Sequence, residues 1–317
     1  MDSAELTSKR SLVSGAIVLV TLILLAFAPL YAPGYPVVLL CSILMYVILT
    51  VSWVIFSGST GYMSLAPAAF FGVGIYASAI IGKALPFPIV VGVGGLASFC
   101  LALLVGGLTL RLRGIYFAIF TFGLVMLIAH SMLFYELHIT GTRGRFVMVM
   151  GYVTIFYYML GVFVLLLITA FLIRGSRYGL ALQSIGQNED AAGHTGVNVT
   201  MVKIITFAIS AFFMGAVGSI MATKWTYIDP FIAFNPFFSF MPVLMAIFGG
   251  MGQLYGPVIG AAIFTYLEEC LITRFAELYM LIFGTILVVA ILYLPDGLVG
   301  LIQKLWRRIS ERKHADT

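Results

Sequence analysis

Long apolar runs separated by short polar segments fill most of this 317-residue chain. A bilayer core is about 30 Å thick and an α-helix rises about 1.5 Å per residue, so each crossing needs about 20 apolar residues. The pattern therefore predicts an all-α polytopic membrane protein, with one transmembrane domain over residues 1–317 and about ten spans. The predicted spans are Leu12–Leu30, Pro36–Phe56, Ser64–Gly82, Phe87–Leu110, Ile115–Leu137, Tyr152–Ile173, Ile204–Thr223, Phe237–Phe248, Pro257–Thr273 and Leu278–Leu294.

The run Phe237–Phe248 is too short to cross the bilayer upright. Pro230, Pro236 and Pro242 interrupt the chain here, and a glycine cluster follows. Irregular backbone at membrane depth persists only where protein or a water-filled cavity surrounds it. The sequence therefore predicts a broken or re-entrant helix in this region.

Composition supports the membrane class, because 62% of the residues are hydrophobic and only 9% are charged. A soluble globular domain has about 25% charged residues. Lys9 and Arg10 precede an apolar run that is longer than the core of a signal peptide, about 7–15 residues, so we expect the first helix to be retained. The three cysteines, Cys41, Cys100 and Cys270, all fall inside predicted spans and indicate neither a disulfide framework nor a metal site.

The distribution of Lys and Arg predicts the orientation, because short cytoplasmic loops carry the positive excess. Ten spans with both termini in the cytoplasm place twelve of these residues inside, namely Lys9, Arg10, Arg111, Arg113, Arg174, Arg177, Lys203, Lys304, Arg307, Arg308, Arg312 and Lys313. Lys83, Arg143, Arg145, Lys224 and Arg274 remain for the other side. The net charge of +5 then faces anionic lipid headgroups in the cytoplasmic flanks and does not indicate nucleic-acid binding.

The longest polar interruption is the segment Ser176–Gly196. Tyr178, Leu182, Ile185, Glu189 and Ala192 recur at helical spacing and share one face. Asn188 is a good N-cap with two acidic residues in the following turn. The pattern predicts two short helices flanking Gly186, outside the bilayer. A solvated connection is the alternative, but loops of this length without a function are uncommon.

The chain has no GxxxxGK[ST] phosphate-binding loop, no HExxH and no other catalytic pattern, so no ATP-binding, catalytic or metal residue is assigned to it. The glycines from Gly249 to Gly256 favour close helix packing over a nucleotide loop, since no strand can precede them in a helical bundle.

Five segments in order resemble the LivM-type permeases of branched-chain amino-acid ABC importers. They are residues 57–76, residues 111–121 with Arg-Leu-Arg-Gly before Tyr-Phe, residues 176–196, residues 249–261 with Gly-Pro, and Leu294–Leu301 reading LPDGLVGL. The resemblance covers most of the chain from Gly58 onward. Pro67 stands where the family usually has glycine, Gly186-Gln187 where a basic residue is common, and Ile139–Gly144 where members often have TGG-x-x-G.

The resemblance implies a fold like that of vitamin B12-type (type II) importers in the bacterial cytoplasmic membrane. The implied partners are a second, LivH-like permease subunit, two cytoplasmic ABC ATPases that bind ATP and Mg, and a periplasmic solute-binding protein. It also implies a cytoplasmic coupling segment at 174–203 and a cytoplasmic tail at 302–317. The residues expected to couple to the ATPases are Tyr178, Gly179, Leu182, Ile185, Gln187, Asn188, Glu189 and Ala192.

Polar, glycine and aromatic residues within the spans are candidates for the translocation path or its gate. They are Gly58, Gly61, Ser64, Phe70, Phe71, Tyr76, Tyr116, Phe117, Thr121, His130, Gly249, Gly252, Gly256 and Pro257. His130 is expected to face the bundle, whereas Glu136, Glu268 and Glu269 lie near outer span ends and are expected to mark the interface or receive the binding protein.

The substrate stays open among branched-chain amino acids, urea, short amides and other small organic solutes. A stand-alone ion-coupled carrier is the alternative from another class, and it would need an intramembrane carboxylate.

Overall fold

The computed structural model describes residues 20–31, 34–252, 255–275, 277–278, 281–286, 288, 297–298 and 300. Within those residues the chain forms twelve α-helices and one two-stranded sheet. The helices are α1 (Val20–Tyr31), α2 (Tyr35–Trp53), α3 (Pro67–Ile81), α4 (Phe87–Thr109), α5 (Ile115–Tyr135), α6 (Tyr152–Gly175), α7 (Arg177–Gln187), α8 (Glu189–His194), α9 (Val199–Ala222), α10 (Pro230–Ala233), α11 (Phe237–Gly249) and α12 (Tyr255–Arg274). The strands are β1 (Arg145–Phe146) and β2 (Tyr227–Ile228).

Among the residues that the structure describes, seven helical segments are long and apolar enough to cross a membrane, and the prediction of an all-α polytopic membrane protein is confirmed at this level. They are Tyr35–Gly58, Phe87–Thr109, Ile115–Thr140, Tyr152–Gly175, Val199–Ala222, Pro230–Gly249 and Tyr255–Arg274. Val20–Tyr31 and Pro67–Ile81 are shorter apolar helices. Most of the predicted span Leu278–Leu294, part of Leu12–Leu30 and the tail 302–317 lie outside the described residues.

The centre of the bundle is a close packing of α3, α4 and α9. A Cβ on Gly74 would clash with the carbonyl of Gly215, and a Cβ on Gly218 would clash with that of Phe71. The Ser219 hydroxyl donates to the Gly74 carbonyl over 2.9 Å. Small residues allow helix backbones to approach this closely in membranes.

The chain between α2 and α3 is irregular, and α3 begins later in the sequence than the hydrophobic pattern predicts. After α2 the chain makes a π-helical turn, Val54–Gly58, and turns at Gly61, whose φ is +74°. Residues 61–66 are non-helical, and α3 starts at Pro67, three residues after the predicted start. Proline suits the first helical position, because its φ is already helical and its missing N–H would be unpaired there anyway.

The predicted broken helix is confirmed in α10 and α11, which are separated by Phe234–Pro236. The broken helix starts next to β2, which pairs antiparallel with β1, and it ends where Met251 approaches Gly58. The bundle therefore has two distinguishable ends. We call them the sheet end, with β1 and β2, and the α7 end, with α7 and α8.

Candidate functional site

Two capped helices, α7 and α8, form the α7 end. The Ser176 side chain accepts from the Gly179 N–H at the start of α7. Asn188 ends α7 and accepts from the N–H groups of Asp190 and Ala191, both at 3.1 Å, at the start of α8. The predicted N-cap at Asn188 is confirmed. The two helices do not flank Gly186 as predicted, since Gly186 lies within α7 and the chain leaves the helix at Asn188. The extended backbone of an N-cap residue is what ends the first helix here.

The apolar stripe of this segment faces inward. Leu182, Ile185 and Ala192 are buried with Val202 of α9 in a small cluster of their own. The Tyr178 hydroxyl donates to the Val202 carbonyl over 3.2 Å. The stripe identified in the sequence thus anchors the segment to α6 and α9, and the opposite face is exposed.

The outward face of α7 carries Leu180, Gln183 and Gln187, which are all exposed. Leu180 is 65% exposed although it is a large aliphatic residue. Sequence reasoning named Gln187 but missed Leu180, because the helical period was followed along the buried face.

Two glycines bring α7 against neighbouring backbone. A Cβ on Gly186 would clash with the carbonyl oxygen of Ser59, just after the π-helical turn. A Cβ on Gly179 would clash with the carbonyl of Ile173 at the end of α6. Gly179 is buried and therefore positions the helix.

A buried ion pair ties α8 to the bundle. The Lys203 ammonium, 2% exposed, donates to Glu189 Oε1 over 2.7 Å and to the Leu110 carbonyl over 3.3 Å. The Tyr62 hydroxyl donates to the other Glu189 oxygen and accepts from Lys203 over 3.1 Å. One cluster therefore joins α8, α9, the end of α4 and the non-helical segment 61–66.

The protonation states of this cluster follow from its contacts. Partial burial would raise the pKa of Glu189, but the hydrogen bonds from Lys203 and Tyr62 outweigh it and hold that pKa below its ordinary value. Burial, aided by the Glu189 carboxylate, raises the pKa of Tyr62. Glu189 is thus ionised and Tyr62 is a protonated donor at neutral pH.

Arg113 adds an outer contact to the same cluster. Its guanidinium lies 3.0 Å from Asp190 Oδ1 and 4.0 Å from Glu189 Oε1. The Arg113 and Asp190 side chains are 64% and 71% exposed, so solvent screens this pair and it stabilises α8 little. Lys203 is therefore the cation that holds α8 in place.

A cavity of about 450 Å³ opens between α7, the π-helical turn and the turn joining α11 to α12. Its lining includes Ser59, Arg174, Gln183, Gln187 and Met251. Beside this opening, Gly186 of α7 lies close to the backbone of Ser59, the residue that follows the π-helical turn.

Three side chains hold the non-helical segment before α3. The Trp53 indole donates to the Ser64 carbonyl over 2.7 Å. Thr121 Oγ1 accepts from the Leu65 N–H at 2.9 Å, and Ser239 Oγ accepts from the Ala68 N–H at 3.1 Å. Backbone groups that the helix break leaves without helical partners are thereby hydrogen-bonded, as irregular backbone within a membrane protein requires.

At the sheet end, Glu136 is fully buried. It accepts from the Tyr76 hydroxyl at 3.0 Å and from the Gly144 N–H at 2.8 Å, and Arg145 Nε lies 4.0 Å away. Tyr76 in turn stacks on Phe234 at the helix break, with ring centroids 5.6 Å apart. The expectation that Glu136 marks the membrane interface or receives the binding protein stays a prediction, and within this chain a π-helical turn carries its side chain into the protein.

The glycines between α11 and α12 serve close packing. A Cβ on Gly249 would clash with the Gly256 carbonyl, and one on Gly260 with the Met245 carbonyl. Pro257 is buried, whereas Gly252 has open space around it and borders the cavity at the α7 end.

Comparison with known families agrees with this arrangement. Residues 35–291 match the family described as branched-chain amino acid transport system, permease component. The chain belongs to this permease family.

Two curated LivM proteins match most of this permease, and a ribose import permease matches part of it. This permease is 26% identical over 325 residues to the high-affinity branched-chain amino acid transport system permease protein LivM of Escherichia coli K12, covering 91% of this chain and 76% of the relative. It is 25% identical over 291 residues to LivM of Salmonella typhimurium, covering 81% and 68%. It is 24% identical over 134 residues to the ribose import permease RbsC of Haemophilus influenzae, covering 41% and 42%. No solved structure matches the permease.

The structure separates the path candidates of the permease into two groups. Phe70, Phe71, Tyr76 and Phe117 are buried in the helix-packing core. Tyr116 and His130 are instead exposed on α5, so the expectation that His130 faces the bundle is wrong for this chain.

The sequence pattern did not predict a functional contact for Lys203, because the predicted span starts at Ile204 and leaves Lys203 in the preceding loop. The helix begins at Val199 after the Asn198 cap, which was the available signal.

Proposed function

We propose that this permease is the transmembrane subunit of an ATP-driven importer for branched-chain or related amino acids. Two cytoplasmic ATPases dock on α7 and α8, a homologous LivH-like subunit completes the channel, and a periplasmic binding protein delivers the solute. The protein lies in the bacterial cytoplasmic membrane with both termini and the α7 end inside. A type II importer fold accommodates the broken helices.

The observation that carries this proposal is the rigid mounting of α7 and α8. A transport subunit that is driven by another protein needs an exposed element whose movement reaches the membrane-embedded segments. The outward face presents Leu180, while Gly186 and the Glu189–Lys203 pair connect the inward face to the segment before α3. Movement of α7 is transmitted to residues 59–66 through these contacts.

We expect Leu180→Asp to abolish uptake and to release the ATPases from the purified complex, because a carboxylate replaces an exposed apolar contact. Met201→Asp is the matched control, since Met201 is 56% exposed at the same end but lies outside α7 and α8. Co-purification of tagged permease with its ATPases and uptake of labelled leucine are the measurements. Full ATPase retention by Leu180→Asp would contradict the docking surface.

Reconstitution tests the importer class. Transport in proteoliposomes should require added ATPase, ATP and binding protein, and uptake by the permease alone would overturn the proposal in favour of an ion-coupled carrier. Ligand binding to the accompanying binding protein decides the solute, since relatives of this permease include a ribose import permease.

A further inference from the structure

The cavity at the α7 end changes in character from its inner part to its mouth. Its volume of about 450 Å³ lies within the range of small-molecule sites, about 300–1,000 Å³. Buried aliphatic side chains line the inner part, namely Val54, Ile55, Ala170 and Leu182. Exposed polar side chains line the part next to solvent, namely Arg174, Gln183 and Gln187. The cavity therefore suits a small molecule with an apolar body and a polar head.

The polar side chains at the mouth of the cavity are not used by the fold itself. Among the residues that the structure describes, the arginine and the two glutamines make no side-chain hydrogen bond or ion pair. Other cations at the same end are paired, Lys203 with Glu189 and Arg113 with Asp190. A guanidinium is always charged and carries five N–H donors, so Arg174 has both charge and donors available for a ligand.

The charges of the lining indicate the chemical class of that ligand. Arg174 is the only cation among the described residues that line the cavity, and none of them is Asp or Glu. One guanidinium matches one carboxylate, to which it can donate two parallel hydrogen bonds. An ammonium group would find no counter-ion in this lining. The cavity therefore favours an aliphatic monocarboxylate over an amine or a multiply charged phosphate.

A molecule in this cavity would bridge separate elements of the bundle. The lining is contributed by the end of α6, by α7, by the residue after the π-helical turn and by the α11–α12 turn, through Arg174, Gln183, Ser59 and Met251 respectively. Beside the cavity, Gly186 of α7 already packs on the Ser59 backbone. A ligand that contacts α7 and Ser59 together would resist any change in their separation.

We propose that this cavity is a regulatory site for a small aliphatic carboxylate on the cytoplasmic side of the permease. The carboxylate pairs with Arg174 at the mouth, and the hydrocarbon part lies against Val54, Ile55 and Leu182. Occupancy holds α7 next to the π-helical turn and slows the transport cycle. The regulatory role and the cytoplasmic location rest on the proposed function, whereas the binding site rests on the lining alone.

Equilibrium dialysis with radiolabelled 4-methyl-2-oxopentanoate, an aliphatic carboxylate without an amine, tests binding to the purified full-length permease in nanodiscs. We expect Arg174→Gln to weaken binding about tenfold or more, because it removes a charged hydrogen-bond donor. Arg177→Gln is the matched control, since Arg177 is exposed at the same end but does not line the cavity. We expect 4-methylpentan-1-ol, which lacks the carboxylate, not to compete. Equal affinity of the two variants, the absence of saturable binding, or equal competition by inorganic phosphate would overturn the site.

A variant that fills the cavity tests the same site without removing a charge. Gly252 lines the cavity, and nothing lies within 4 Å of a Cβ added there, so Gly252→Phe should abolish binding. Gly193→Phe is its control, because Gly193 has the same open space but lies in α8, outside the lining. Binding that survives Gly252→Phe would locate the ligand elsewhere and refute the proposal.

ATP hydrolysis stimulated by the binding protein tests the regulation in the complete transporter. Each variant is compared with its own rate without ligand, and we expect the ligand to slow Arg177→Gln several-fold but not Arg174→Gln. Equal slowing of both variants, or slowing of neither, would overturn the regulatory role. Release of the ATPases by Arg174→Gln would show that an ATPase fills the cavity instead. The dialysis measurement needs neither transport nor ATP hydrolysis, so its failure is distinguishable from failure of the importer proposal.

Discussion

At the scale of single residues, the most consequential is Lys203. An ammonium that is 2% exposed is costly unless its charge and its donors are matched, and Glu189, Tyr62 and the Leu110 carbonyl match them. Glu189 is less buried, at 21% exposure, and also has Arg113 nearby. The two members of the pair are therefore not equivalent.

We expect Glu189→Gln to lower the free energy of unfolding by about 3 kcal/mol, because it leaves the Lys203 charge buried without its counter-ion. Lys203→Met should cost less, since water and Arg113 can reach Glu189. The double variant should recover most of the loss. Urea unfolding of the purified protein in mixed micelles measures all three, and a double variant that is less stable than Glu189→Gln would contradict this account.

The sequence predicted those residue roles that depend on near neighbours. Asn188 was identified as a cap because its partners lie two and three residues away. The sequence pattern named Glu136 but not its contacts, and gave Lys203 no role, since the Tyr76 and Tyr62 hydroxyls that complete their sites lie 60 and 141 residues away. Contacts of this kind become visible only when the helices are assembled.

At the scale of elements, α7 and the π-helical turn act as a contacting pair. A Cβ added to Gly186 would clash with the carbonyl oxygen of Ser59, and because that oxygen belongs to the backbone, no side chain can move aside to make room. Element types and most helix positions could be predicted from hydrophobic runs, whereas the π-helical turns and the late start of α3 depend on tertiary contacts.

We expect Gly186→Ala to displace α7 and to reduce uptake several-fold while ATP is still hydrolysed. Gly193→Ala in α8 is the control, because nothing lies within 4 Å of a Cβ at that position. The ratio of solute transported to ATP hydrolysed in proteoliposomes is the measurement. Equal ratios for Gly186→Ala and Gly193→Ala would show that this approach does not transmit movement.

At the scale of the whole molecule, both ends of the bundle carry paired charges. The α7 end has Arg111, Arg174 and Arg177 beside the Arg113–Asp190 and Lys203–Glu189 pairs, and at the sheet end Arg143 is paired with Asp229 at 3.1 Å. The proposed orientation puts the α7 end in the cytoplasm, on the side to which the sequence pattern assigns twelve of the 17 Lys and Arg residues.

Cysteine labelling checks this orientation. In a chain without the three native cysteines, His194→Cys at the α7 end and Thr142→Cys at the sheet end are both exposed positions. A membrane-impermeant maleimide added to intact cells should label Thr142→Cys alone, and permeabilisation should make both reactive. Labelling of His194→Cys in intact cells would reverse the orientation.

The glycine contacts also determine which residues at these contacts can be substituted without a steric clash. At Gly186, Gly218 and Gly260 the opposing atom is a backbone carbonyl, which every amino acid carries. Substitution at Ser59, Phe71 or Met245 leaves that carbonyl in place. In each pair it is therefore the glycine, and not the residue that supplies the carbonyl, whose side chain is restricted. Mutational tolerance should therefore be asymmetric, and the two sides of each contact need not change together as related chains diverge.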